Sequence, residues 1–275
     1  MKKSIIKFIL VFVSVGFFTG CTEVVDVDLA NGGNRLVVEA SILWEKGTVG
    51  NEQTIKLSTS TPYFSENQNT PVVNATVQVT NTDTGEVFVF TNQNNGEYTT
   101  TTFNPILNNE YALEVVYNGN TYRGTEIFIP VTDITKVEQE TRTTFGGSEE
   151  LQVKVFFNDE ESETNFYLGR FKASNIPIPD LEARDDEFIN GNESFIQYRD
   201  EDLEVGSIVA ISLQGISRQY FNYIDLLIEQ LGQGGPFQST PARLRGNCIN
   251  VNNSNEEVFG YFRLSEIVNE NYTIN

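Results

Sequence analysis

The 275-residue chain has no histidine. That absence excludes Ser-His-Asp and Cys-His nucleophile arrangements. It also excludes histidine-ligated zinc and non-haem iron sites. The chemistry left to it is a glycosidase carboxylate pair, a Ser-Lys dyad or a calcium site built from oxygens. Cysteine is nearly absent too, at Cys21 and Cys248 alone. Basic residues are scarce, with 18 Lys and Arg against 38 Asp and Glu, for a net charge of −20. A basic stripe for nucleic acid is therefore missing, and phosphate backbones would be repelled, so no nucleic-acid partner is expected. Long apolar runs are also lacking. The longest, Phe8 to Phe18, is shorter than the ~20 residues a membrane-spanning helix needs.

That run has a context. Lys2, Lys3 and Lys7 precede it without an acid, and it ends at Phe18, with Thr19, Gly20 and Cys21 next. A basic start, a short apolar core and small residues before a cleavage point describe a secretory signal. The end of the run resembles the bacterial lipobox. This resemblance implies cleavage before Cys21 and a diacylglyceryl thioether on its sulfur, and cysteine suits that step because its thiolate is the nucleophile. Anchoring needs more than one acyl chain, since each buried CH₂ contributes only about 0.8 kcal/mol. The expected organisation begins with a signal peptide over 1–20 and a flexible tether over 21–34. Removing 1–20 takes away three basic residues and no acid, leaving 15 against 38, a net of −23. With Cys21 lipidated, no disulfide within the chain is possible, and Cys248 is expected to be a small buried packing residue. The lipoprotein resemblance further implies display at the cell surface, since Glu23, Asp26 and Asp28, though spread rather than contiguous, lie just past the anchor.

From 35 to 130 the pattern is strand after strand. Strands are read at 36–44, at 53–60, where Ile55 and Leu57 alternate, on both sides of a turn within 75–91, and ahead of Asn118, where Tyr111, Leu113 and Val115 alternate. Asn95-Gly96 and Asn118-Gly119 are hairpin signals, because two-residue turns require positive φ. This spacing predicts an immunoglobulin-like β-sandwich over 35–130. A β-rich domain is expected over 131–275, with strands at 150–159, 166–174, 207–214 and 256–268. Residues 177–206 read as a polar, charged passage. One helix stands out near 217–231, where Tyr220, Ile224, Leu227, Ile228 and Leu231 share a face. Ser217 is its expected N-cap, Ile216 staples against Phe221, and Gly232 is the stop. The fold class is thus mostly β with one clear α-helix.

Several stretches together carry a family resemblance: "LVVEASI", "IKLSTSTPYF", "NATVQVTN", "GEYTT" and "NNEYALEVVYNGNTYRG" in the first half, then "DDEFINGN", "ISRQYFNY", "GGPF", "PARLRGN" and "GYFRLSE". The chain resembles the domain-of-unknown-function family 4249 of Bacteroidota outer-membrane lipoproteins. The resemblance covers nearly all of the mature chain. It implies an accessory lipoprotein of a TonB-dependent receptor, and it brings no assigned catalytic residue.

The candidate site residues are few. Cys21 is the lipid-attachment site. Trp44, Tyr63 and Phe64 sit near strand ends and loops and are candidates for stacking on a glycan or peptide ligand; the competing role is to plug the core. Arg243 and Arg245 stand two apart, so on a strand they share a face. They are candidates to grip a carboxylate or a receptor loop, against ion pairing with the protein's own acids. The acidic stretches at 159–163 and 199–204 read as solvated charge; no metal, cofactor or catalytic residue is assigned. The expected function is that of a non-enzymatic, lipid-anchored outer-membrane protein that works with a TonB-dependent transporter in nutrient capture. Its alternatives are a structural or adhesive envelope module and a surface carboxylate-dependent glycan hydrolase.

Overall fold

A computed structural model describes residues 33–61, 70–143, 146–147, 149–231 and 242–275. Residues 33–275 form one compact unit. Among the described residues the first strands are β1 (Leu36–Glu45), β2 (Gln53–Thr59), β3 (Thr70–Pro71), β4 (Thr76–Asn81) and β5 (Val87–Asn92). Next come β6 (Glu97–Thr100), β7 (Glu110–Tyr117), β8 (Asn120–Ile129), β9 (Ile134–Thr143), β10 (Glu149–Asn158) and β11 (Phe166–Ala173). The chain ends with β12 (Asp180–Asp185), β13 (Glu193–Arg199), β14 (Ile208–Gly215), helix α1 (Arg218–Leu231), β15 (Ile249–Asn250) and β16 (Phe259–Thr273).

The expected β-rich content with one helix is present. The first half is built differently from the expected sandwich. Its ladder runs β1-β2-β6-β5-β4-β7-β8, and β16 then pairs with both β8 and β1, so eight strands close into a ring. The eighth comes from the far end of the chain and lies parallel to both neighbours. Local sequence carries no signal for such a pairing, since parallel partners need a long crossover. Alternation places Leu36, Val38, Ala40 and Ile42 of β1 inside, with Phe262 and Leu264 of β16. Each of these Leu, Val, Ile and Phe side chains contributes roughly 1.5–3 kcal/mol on full burial. A run of rings fills the interior: Phe88 to Phe103 at 4.6 Å, Phe103 to Tyr111 at 5.5 Å and Tyr111 to Phe128 at 6.0 Å.

The second half is two-layered. Strands β12-β11-β14 and the later part of β16 form one layer, and β13-β10-β9 form the other. Val153, Val155 and Phe157 of β10 meet Phe171, Val209 and Ile211 in a shared core. Phe157 lies 4.5 Å from Tyr167, and Phe171 stacks on Tyr198 at 5.4 Å. Two of these strands, β12 and β13, fall in the stretch read as a polar passage. Their sequences, DLEARD and ESFIQYR, hide the pattern because the first is mostly charged and half-buried and the second sets its buried Ser194, Ile196 and Tyr198 among mostly polar residues. Strand β9 was likewise not expected; it is largely exposed.

Two turn expectations differ in outcome. Asn118 and Gly119 both have positive φ (48° and 78°), and they link β7 to β8 tightly. At the other signal, positive φ falls on Asn94 and Gly96 rather than on Asn95 and Gly96, so that loop is longer. Helix α1 begins as expected: Ser217 Oγ accepts the Tyr220 N–H at 3.1 Å. Tyr220 and Ile224 are buried on its face, whereas Leu231 is exposed. Gly232 lies outside the described residues.

Candidate functional site

Strand β16 reaches the ring's first end at Phe259, opposite Val37. This register sets Arg35, just before β1, beside the segment that leads into β16. The result is a cleft of about 460 Å³ lined by Arg35, Arg243, Arg245, Ile249, Glu257 and Phe259, among others. The expected pair Arg243 and Arg245 is therefore brought together with a third arginine that sequence reading did not single out. Its only sequence signal was its place just ahead of the first strand.

The backbone carrying Arg245 is held rigidly. A Cβ on Gly246 would lie 1.7 Å from the Gly260 carbonyl oxygen, and one on Gly260, at φ +85°, would lie 2.0 Å from the Val38 oxygen. Only glycine permits three backbones to stack this closely. Asn247 then acts as a strand in miniature. Its Oδ1 accepts the Phe262 N–H at 2.9 Å, and its Nδ2 donates to Phe262 O at 2.7 Å and to Thr125 O at 3.2 Å. The next residue, Cys248, is buried against Gly124, and burial pushes its thiol up to about 12. That is a packing role, with the nucleophilic thiolate suppressed.

The charges in the cleft are unequally matched. Arg243 pairs with Glu257. Glu256 accepts from Asn250 Nδ2 at 2.8 Å and from the Tyr122 hydroxyl at 3.4 Å. Arg245 is exposed and makes no ion pair with a described residue. A second cleft of about 390 Å³ shares Glu256 and is lined by Asn34, Tyr117, Asn118 and Asn120. Both open at the end of the ring where the compact unit begins.

The other sequence candidates lie elsewhere. Trp44 is near the opposite end of β1, roughly 30 Å away at ~3.3 Å per strand residue. Its indole donates to Thr48 O at 2.8 Å, and its ring meets Phe128 edge-on at 6.1 Å. A Cβ at Gly50 would lie 2.5 Å from its ring. Trp44 therefore plugs that end of the ring. Cys21, Tyr63 and Phe64 lie outside the described residues, as do Gly234 to Phe237 of the "GGPF" stretch.

Behind the cleft, on the outer face of β16, lies a buried polar junction. Arg263 donates to Gln214 Oε1 at 2.8 Å, Ser41 Oγ at 3.0 Å and Ser265 Oγ at 3.1 Å. Its guanidinium sits 4.8 Å from the centre of the Tyr220 ring, and burial lowers its pKa. Glu126 is buried nearby. It accepts from Ser217 Oγ at 2.8 Å, Ile127 N at 3.0 Å and the Tyr261 hydroxyl at 3.2 Å. Burial raises its pKa, and these donors only partly offset that. The junction ties α1 to the ring; its polar groups are spent on one another. Among the described residues, no three His, Cys, Asp or Glu side chains group to hold a metal. No described helix is long and apolar enough to cross a membrane.

These features define a mostly β protein with a closed eight-strand ring, a second two-layered part and an arginine cleft at the ring's entry. The sequence matches the family described as "Domain of unknown function (DUF4249)" over residues 22–270, and the chain belongs to that family. No curated protein matches it. Among solved structures, a two fibronectin type-III domain segment of chicken tenascin is similar at 11% identity and a TM-score of 0.22. That match covers 66% of this chain and 91% of the other. A DUF4785 family protein from Legionella pneumophila is similar at 12% identity and a TM-score of 0.26, covering 66% of this chain and 51% of that one.

Proposed function

We propose that this protein is a lipid-anchored outer-membrane accessory protein of the Bacteroidota type, without enzymatic activity, that docks on a TonB-dependent transporter and assists nutrient capture at the cell surface. One observation carries this reading. The compact unit begins at Gly33, and the arginine cleft opens beside its third residue. If Cys21 carries the lipid, the step from Cys21 to Gly33 spans at most about 40 Å at ~3.3–3.6 Å per residue. The anchor then keeps the cleft close to the membrane and within reach of a membrane-embedded partner. The charge distribution supports the same reading. A chain of net charge −23 after loss of residues 1–20 is repelled by anionic surfaces, so a local positive cleft favours a specific acidic contact over general adhesion. The sequence resemblance to receptor-paired lipoproteins adds to it.

Purification of the protein from native membranes in mild detergent tests the proposal. One large β-barrel protein is expected to accompany it. Recovery as a free monomer would overturn the transporter association. A deletion strain separates the alternatives: loss of growth on one nutrient fits transport, while general envelope fragility assigns a structural role instead.

A further inference from the structure

The cleft beside Arg35 offers more than positive charge. Ile249 and Phe259 both line it, yet they remain 61% and 38% exposed. Leu244 and Val258 add to the apolar wall. Apolar anchors set beside arginine are the mixture found at the centre of protein docking sites. The backbone contributes as well. β15, which carries Ile249, pairs with β8 and ends the order of its sheet. Such an edge can hydrogen-bond an extended chain laid along it.

The charges choose the occupant. Arg35, Arg243 and Arg245 face Glu256 and Glu257, which leaves the cleft one charge positive, and Arg245 makes no ion pair among the described residues. The backbone next to it is fixed by the Gly246–Gly260 stacking and by Asn247, so the point from which the side chain projects is preorganised. A phosphate headgroup would answer the charge but leave Ile249 and Phe259 in water. A peptide answers both.

We propose that this cleft docks an extended peptide segment that carries a carboxylate, with the acid held by Arg245 and Arg243 and apolar side chains seated on Ile249 and Phe259. The inference rests on the docking reading above and names the chemistry of the partner.

A photo-reactive phenylalanine analogue in place of Phe259, in the full chain in its native membrane, provides the test. Mass spectrometry identifies what it captures. The expected product is a defined segment of one membrane protein that contains Asp or Glu. Arg245→Glu is expected to lower the yield about ten-fold, and changing the captured acid to Lys is expected to restore it. Arg245→Gln, with an unchanged melting temperature, should lower it less. Capture of lipid, capture of a segment without an acid, no capture, or a yield unchanged in the Arg243→Glu/Arg245→Glu variant would each overturn the inference. If a transporter still co-purifies when the cleft captures nothing, only the cleft assignment fails. If the cleft captures an acidic segment of a protein other than a transporter, only the transporter reading fails.

Discussion

Strand β16 closes the ring through two joints, and the joints are built differently. Against β1 its backbone ladder runs unbroken from Val37↔Phe259 to Glu45↔Ile267. Against β8 the ladder covers just Leu264↔Phe128 and Ser265↔Ile129. Side chains close the rest of that second joint. Asn247 bridges Thr125 and Phe262, and Glu126 of β8 reaches Tyr261 and Ser217. The first joint depends on backbone shape, with glycine at the point of closest approach. The second depends on individual polar groups, and it is the joint that touches both the cleft segment and α1.

If the first joint rests on close backbone approach, Gly260→Ala should be the most damaging change. Its methyl would meet the Val38 carbonyl at 2.0 Å, at a φ that L residues rarely adopt. A loss of at least ~3 kcal/mol in urea unfolding is expected, or no folded protein. A loss below 1 kcal/mol would break the comparison.

Asn247→Ala probes the second joint. It removes one acceptor and two donated bonds from backbone groups, so about 2–4 kcal/mol should be lost. Hydrogen exchange should quicken at Phe262 before it does at Val38. Uniform quickening would mean that the two joints open as one.

The second joint should also be the titratable one. Burial lifts the Glu126 carboxyl above its ordinary value of 4.5. The folded state therefore holds this proton more tightly than the unfolded chain does. The stability this contributes is full below that ordinary value and is lost as pH rises through the folded-state pKa. Denaturant unfolding of wild type and Glu126→Gln at pH 5 and pH 8 should show the variant gaining relative to wild type at the higher pH. A pH-independent difference would remove Glu126 from the closure.

The smallest effect concerns Cys248, packed on Gly124 next to the same joint. With its thiol pushed up to about 12, it should resist alkylation at pH 8 in the folded protein and react once unfolded. Rapid labelling of the folded protein would show that the joint opens readily.

Much of the strand content was legible because it is local. Alternation marked β2 and β7, apolar runs beside turn residues marked β1, β4 and β5, and Asn118-Gly119 marked its turn. The face of α1 and its Ser217 cap were equally plain. Ring closure was not legible, because the pairing of Val38 with Gly260 joins residues far apart in sequence and leaves no periodic trace. The same distance hid Arg35 as part of the site, although Arg243 and Arg245 were singled out. Strands β9 and β12 were hidden for another reason: charged edge strands, one largely exposed and one half-buried, carry little apolar alternation. The aromatic at Trp44 had two legible roles, and its contact with Phe128, reached only through the fold, was not legible.

The central claim is that a lipid on Cys21 holds the arginine end of the ring near a membrane. Intact-mass spectrometry of the protein extracted from its native host tests that claim most directly. The account predicts a mature chain beginning at Cys21 and carrying the added mass of a diacylglyceryl group. A chain with an unmodified Cys21, or one released free into the medium, would contradict it.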